Sequence, residues 1–191
     1  MCENYNYEKG VYYTTRPKRK NEVDGVDYYF VTEDEFSRKE FVTVFVAGNY
    51  QEGVTYRYGI TQDEIDKAND ENYIVQLPPS MAYELKANDK AGNVVLVRIN
   101  CDKMERIKRQ IKRGDVKEEV VRRLITDEDD FSRYEGVYDY ELNNEDDVER
   151  TAVAFLVMAL HPQKYAQIRE SFNELNEKEQ KRFVRYVLNK D

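Results

Sequence analysis

The sequence predicts an α/β fold, a parallel sheet with flanking helices followed by a C-terminal helical extension. Three observations lead there. Short β-type runs alternate with helical patterns between about residues 11 and 160. The runs Tyr73–Leu77 and Asn93–Ile99 are rich in valine, isoleucine and leucine, as strands covered on both faces are. From residue 161 the pattern is helical only.

The elements follow in order. Val11 to Thr15 are β-type and end at Arg16-Pro17, because a residue before proline avoids the helical region. An aromatic strand is expected at Asp27–Val31, then a short helix opened by Thr32 with an acidic first turn. Phe41 to Ala47 form an apolar strand. Thr61 to Glu64 read as a capping box for a helix to about Asn69. Tyr73–Leu77 is a strand stopped by Pro78-Pro79, and a helix through Met81 to Ala87 follows. After the strand at 93–99, residues 102–113 form a basic amphipathic helix. Gly114 breaks it and a second helix begins at Lys117. A last strand is expected near Val137–Leu142 and an apolar helix over Asp147–Leu160. In the tail, Pro162 suits a first helical turn. Tyr165, Ile168, Phe172 and Leu175 share one stripe, and Asn176 with Glu179 opens another helix whose apolar face is Phe183, Val184, Val187 and Leu188. The tail reads as a helical hairpin packed on the domain, or as a surface for a partner.

Bulk chemistry narrows the function. The chain has 191 residues, of which 36% are charged, and a net charge of −8, which disfavours a nucleic-acid partner. It has no apolar run of membrane-spanning length, so no membrane role is expected and the location expected is cytoplasmic. Cys2 and Cys101 have no metal-ligand spacing and read as free thiols; His161, the one histidine, has no triad context.

One loop stands out against the acidic background. Arg16, Lys18, Arg19 and Lys20 place four positive charges in five residues between two strands. Guanidinium groups grip phosphate oxygens in a two-pronged way, and Tyr28 adds a hydroxyl donor. A basic turn can equally be solvated surface. The surrounding run, Thr14-Thr15-Arg16-Pro17-x-Arg19-x-x-Glu22-Val23-x-Gly25-x-Asp27-Tyr28-x-Phe30-Val31, resembles the GMP-binding signature of guanylate kinases. That resemblance implies that Arg16, Arg19 and Tyr28 hold a ligand phosphate. Tyr58-Gly59 resembles the family's second tyrosine, which makes Tyr58 a further phosphate contact. Residues 107–124 are similar to the family's lid, with Arg113, Arg122 and Arg123 as its arginines and one residue fewer between Gly114 and Glu118. Leu142-Asn143-Asn144-Glu145-Asp146 resembles the closing strand. The resemblance implies a P-loop-kinase-like domain over residues 1–160, with a GMP-binding-like region at about 11–60 and a lid-like region at about 102–125. Residues 161–191 are the extension.

The departures set the expected function. No G-x-x-x-x-G-K-[ST] occurs; Gly48 and Gly53 have its spacing, but Val54 stands in the lysine position before a β-rich stretch. The N-terminal strand, P-loop and helix of the family are thus expected to be missing; on the alternative that a kinase has lost its first segment, Cys2–Lys9 reads as the end of that helix. The family's two guanine-reading carboxylates would fall near Thr43 and Gln76. The expectation is a protein that binds a nucleoside monophosphate or other phosphorylated ligand without kinase activity. It would use no cofactor, with ATP and Mg²⁺ entering only if a P-loop is supplied upstream. Two alternatives remain: an N-terminally truncated kinase transferring phosphate from ATP to GMP, and an assembly or inhibitor protein, with a protein partner or a second copy at an open sheet edge or the tail.

Overall fold

A computed structural model describes residues 7–49, 53–69, 72–144, 148–160 and 162–187. Cys2, His161, Leu188 and the Glu145-Asp146 pair lie outside the described residues. The chain forms two compact units, one of residues 7–96 and 107–138, the other of residues 97–106 and 139–187.

The first unit carries six strands: β1 (Tyr7–Lys9), β2 (Tyr13–Thr14), β3 (Tyr29–Phe30), β4 (Thr43–Asn49), β5 (Val54–Ile60) and β6 (Asn72–Ile74). β1 runs parallel to β6, with Tyr7 opposite Asn72 and Lys9 opposite Ile74. The other four form a sheet in the order β3-β2-β5-β4. The parallel pairing expected from the sequence is present, and only the direction of β5 needs correction. β2 and β3 are parallel, but β5 is antiparallel to both β2 and β4. Only residues 50–53 link β4 to β5, and so short a link can close a hairpin but not a parallel crossover. Gly53, at φ +60°, completes that turn. The Gly48–Gly53 spacing therefore belongs to a hairpin.

A second correction concerns the N-terminal segment. Tyr7–Lys9, read as the end of a helix on the truncated-kinase alternative, is strand β1. Its continuation is pinned by Glu64, whose carboxylate accepts from the Val11 N–H at 3.0 Å and from the Tyr73 hydroxyl. Gly10 passes so close to the Tyr73 ring that a Cβ would lie 2.7 Å from it. This also explains why the capping box at Thr61–Glu64 does not form. Helix α2 (Gln62–Asp66) starts there, but Thr61 makes no side-chain cap bond, because Glu64 is 5% exposed and already committed. A 3₁₀ turn at Lys67–Asn69 follows.

Helix α1 (Glu33–Ser37) has the Thr32 N-cap and acidic first turn its sequence predicts, and Glu35 closes a full capping box with Thr32. It buries Phe36, which stacks on Phe41 at 4.2 Å. Helix α3 (Pro79–Asn88) opens on proline and buries Met81. Met81, Ile60 and Tyr12 are the centre of the core, with Phe45, Tyr58, Val75 and Leu77 packed around them. Helices α4 (Lys103–Arg113) and α5 (Lys117–Arg133) are separated by Gly114 at φ +90°.

In the second unit β7 (Val97–Asn100) runs parallel to β8 (Tyr140–Asn143). Helix α6 (Val148–Leu160) packs on β8, placing Met158 against Leu142 and Tyr165. The tail is a 3₁₀ turn (Pro162–Lys164), α7 (Tyr165–Glu174) and α8 (Glu177–Val187), both of which pack on α6. Asn176 and Glu179 cap α8 reciprocally as the sequence predicts. Phe172 and Phe183 meet at 5.6 Å, so the hairpin's apolar stripe is largely used within the chain. Among the described residues no helix is long and apolar enough to cross a membrane.

Candidate functional site

The site is built from strand alternation. Tyr58 of β5 lies opposite both Phe45 of β4 and Thr14 of β2, and Tyr56 lies opposite Ala47. Directly paired residues share a face, so Tyr56, Tyr58 and Ala47 line one side of the sheet, the side that Thr14 also faces. Arg16 leaves β2 two residues beyond Thr14. These residues, with Arg19 and Gly48, form the floor of a cleft of about 260 Å³. The facing wall is the α4–α5 connection: Gly114, Asp115, Val116, Glu119, Arg122 and Arg123. The whole cleft lies within the first unit.

The basic loop holds its own shape. Glu22 N–H donates to the Arg19 carbonyl at 3.1 Å, and Val23 N–H to the Asp27 carboxylate at 2.7 Å. Gly25, at φ +74°, donates to the Tyr28 carbonyl. The Arg16 side chain is 11% exposed and donates two hydrogen bonds to Glu22, at 2.8 and 3.0 Å. Its guanidinium sits 5.3 Å from the centre of the Tyr28 ring and 5.6 Å from that of Phe30. Tyr58 lines the same cleft beside it. Burial works against the charge on Arg16, but the bonds and charge of Glu22 more than offset it and hold the pKa above its usual value. For Glu22, burial is likewise outweighed by the bonds from Arg16 and the Arg19 N–H, so its carboxyl is held low.

Thus Arg16, Arg19, Tyr58, Arg122 and Arg123 all meet at the cleft. Tyr28 lies behind Arg16, in edge contact with Tyr12 at 5.0 Å and with Tyr58 at 6.1 Å. Arg113 is not on the cleft lining; it bonds Asp115, which is. Arg122 and Arg123 both donate to Glu119, at 2.7 to 2.9 Å, and the Arg122 bonds lead in drawing that carboxyl down to about 2.

Sequence reasoning missed four residues. Tyr12 is buried under the site, its ring edge-on to Tyr28, with its hydroxyl pKa pushed up chiefly by burial. The alternation Tyr12-Thr14-Arg16 was the signal for it. Glu119 sits three and four residues before the two arginines, a readable helical spacing. Tyr56 sits two before Tyr58. Asp115 had no sequence signal except the shortened connection.

A larger hollow of about 370 Å³ lies on Tyr13, Tyr29, Arg38 and Lys39, the residues that alternate to the other face. Its two carboxylates are already committed, Asp24 to the Phe30 N–H and Glu35 to Thr32. It contains neither Arg16 nor Arg19.

Arg16, Arg19, Tyr56, Tyr58 and the facing Arg122 and Arg123 line one cleft, and comparison with known proteins places the chain in a family. The sequence profile of the guanylate kinase family matches residues 3–160. The chain belongs to the guanylate kinase family. The guanylate kinase of Symbiobacterium thermophilum is 31% identical over 139 residues, covering 70% of this chain and 63% of that protein. That of Lactococcus lactis subsp. lactis is 32% identical over 148 residues, 77% of this chain and 71% of that protein. The crystal structure of guanylate kinase from Anaplasma phagocytophilum superposes with a TM-score of 0.60 at 25% identity, over 83% of this chain and 77% of that one.

Within this family frame, the positions expected to read a base are altered. Thr43 is 3% exposed and donates its hydroxyl to Glu84 of α3. Gln76 is exposed, and Ile60, opposite Thr43, is fully buried. The cleft carboxylates Glu22, Asp115 and Glu119 are all bonded by arginines. Among the described residues, no group of three metal-binding side chains occurs.

Proposed function

We propose that this chain is a guanylate kinase-like binding protein that takes a phosphate monoester, such as a nucleoside monophosphate, in the cleft of Arg16, Arg19, Tyr28 and Tyr58. It does so without transferring phosphate. The observation that carries the reading is the placement of Arg16. Its guanidinium is flanked by the rings of Tyr28 and Phe30, held by Glu22, and lines a cleft that Tyr58, Arg122 and Arg123 also line. Such a fork is suited to the oxygens of a phosphate. Arg122 and Arg123 are proposed as its outer wall, with Arg113 behind it, bonded to Asp115. The absence of turnover rests on phosphoryl transfer being mainly positioning and charge stabilisation, for which the residues given hold no Walker A lysine.

Isothermal titration with GMP, other nucleoside monophosphates and a phosphopeptide tests the reading. Binding in the wild type and its loss in Arg16→Ala/Arg19→Ala is the expected outcome; equal binding by that variant refutes it. Similar binding of several bases would follow from the altered positions at Thr43 and Gln76.

A second reading is favoured by the relatives, all named guanylate kinase, and by the chain spanning 63% of the Symbiobacterium protein's length. In that reading these residues are the GMP-binding part of a nucleoside-monophosphate kinase. A G-K-[ST] loop encoded upstream would favour it. ATP-dependent turnover by residues 1–191 alone would overturn the first reading.

A further inference from the structure

We infer that Asp115 is the cleft's internal counter-anion, and that its presence makes the site selective for dianionic phosphate monoesters over monoanionic esters of the same shape. The inference rests on the phosphate-site reading and adds a specificity residue to it.

Asp115 directly follows Gly114, whose φ of +90° turns the chain back at the end of α4. That turn places the carboxylate on the cleft wall with only 17% of the side chain exposed. It accepts from Arg113 Nε at 3.0 Å and, more closely still, from a second nitrogen of the same guanidinium. Arg123 lies 3.8 Å away, and Arg19 is within electrostatic reach across the cleft. The bond from Arg113 leads in holding its carboxyl below the usual range, so the group is anionic at neutral pH. Asp115 therefore offsets charge on Arg123 and Arg19 that an incoming anion would meet, beside Glu119 on Arg123 and Glu22 on Arg16.

Any ligand competes with this carboxylate. A monoanion exchanges one negative charge for another and gains little. A phosphate monoester carries close to two charges above its second pKa of about 6, with three strong acceptor oxygens. At Arg19 and Arg123, where Asp115 is the competitor across from the ligand, it can still outbid that carboxylate. Selectivity then arises from a built-in repulsive element rather than from an added contact.

Phenyl phosphate and phenyl sulfate differ in charge at nearly equal shape, and calorimetric titration of both at low, fixed ionic strength reads the effect. The wild type should bind the phosphate more tightly. Asp115→Asn and Asp115→Ser should both gain affinity, the sulfate more than the phosphate, shrinking the ratio by about three- to tenfold, the range of one partly screened charge. A wild-type ratio near one, or a ratio unchanged in a variant that melts like the wild type, overturns the role of Asp115 and leaves the phosphate site standing. Failure of the wild type to bind either probe, or binding that survives Arg16→Ala/Arg19→Ala, overturns the site and this inference with it.

Discussion

Replacing Glu22 by glutamine isolates what holds the arginine fork in place. The Glu22 carboxylate meets Arg16 at 2.8 and 3.0 Å and the Arg19 N–H at 2.8 Å, and the two side chains are only 11% and 16% exposed. Breaking a fully buried pair from one side costs about 3–5 kcal/mol, because the other charge is left uncompensated. This pair lies at a cleft mouth and keeps some solvent, which brings the expectation to about 2 kcal/mol. In a unit of this size that is roughly 6 °C of melting temperature. Arg16→Met should cost a similar amount, and the double variant should recover part of the loss, a coupling of about 1–2 kcal/mol. Thermal melts of the four chains give the cycle directly. Adding phenyl phosphate should stabilise Glu22→Gln more than the wild type, since the ligand returns a counter-charge to Arg16. A single variant melting within about 1 °C of wild type, with additive effects in the cycle, would refute the claim that Glu22 holds the fork.

Acid should loosen the cleft wall before the rest. Glu119 titrates near 2 in the folded chain and at about 4.3 when unfolded, so its contribution is complete above the unfolded value and is lost as pH falls from about 4.5 towards 2. After allowing for screening, Glu119→Gln should reduce that acid-dependent loss by about 1 kcal/mol in pH-resolved melts, and an identical acid profile would contradict the assignment. Gly59→Ala places a Cβ 2.6 Å from the Phe41 ring on a strand paired on both sides; it should cost about 1–3 kcal/mol in denaturant unfolding. Phe36→Ala removes a fully buried ring that stacks on Phe41 and lies under the Arg57 guanidinium at 4.4 Å; a loss of about 3–5 kcal/mol is expected from the same measurement. Asn176→Ala removes one half of the α8 cap and should cost about 1 kcal/mol, with a matching loss of hydrogen-exchange protection in the first turn.

Much of the fold could be read from local chemistry. Thr32 as an N-cap, and Asn176 with Glu179 as a capping box, are legible in the sequence and present in the structure, because each is satisfied within four residues. The same pattern misled at Thr61–Glu64, where the glutamate serves Val11 and Tyr73, distant in sequence. Strand direction was misjudged for the same reason: alternation of β-type runs with helices cannot show that β4 and β5 close on each other through one short turn. At the site, Arg16, Arg19 and Tyr58 were legible through the long resemblance around them. Asp115 and Tyr12 were not, since their place depends on the turn at Gly114 and on which face of β2 turns inward.

The ring cluster beneath Arg16 has a practical consequence for observing this molecule. The chain contains sixteen tyrosines and no tryptophan, so its near-ultraviolet emission is tyrosine emission, undimmed by transfer to an indole. Tyr12, Tyr28 and Tyr58 lie within 5.0 to 6.3 Å of one another, ring centre to ring centre, and the Arg16 guanidinium sits 5.3 Å from the Tyr28 ring centre. Rings so close exchange excitation, and a change in the hydrogen bonding of one is felt by all three. The cleft thus carries its own optical probe, and occupancy can be followed on the unlabelled protein.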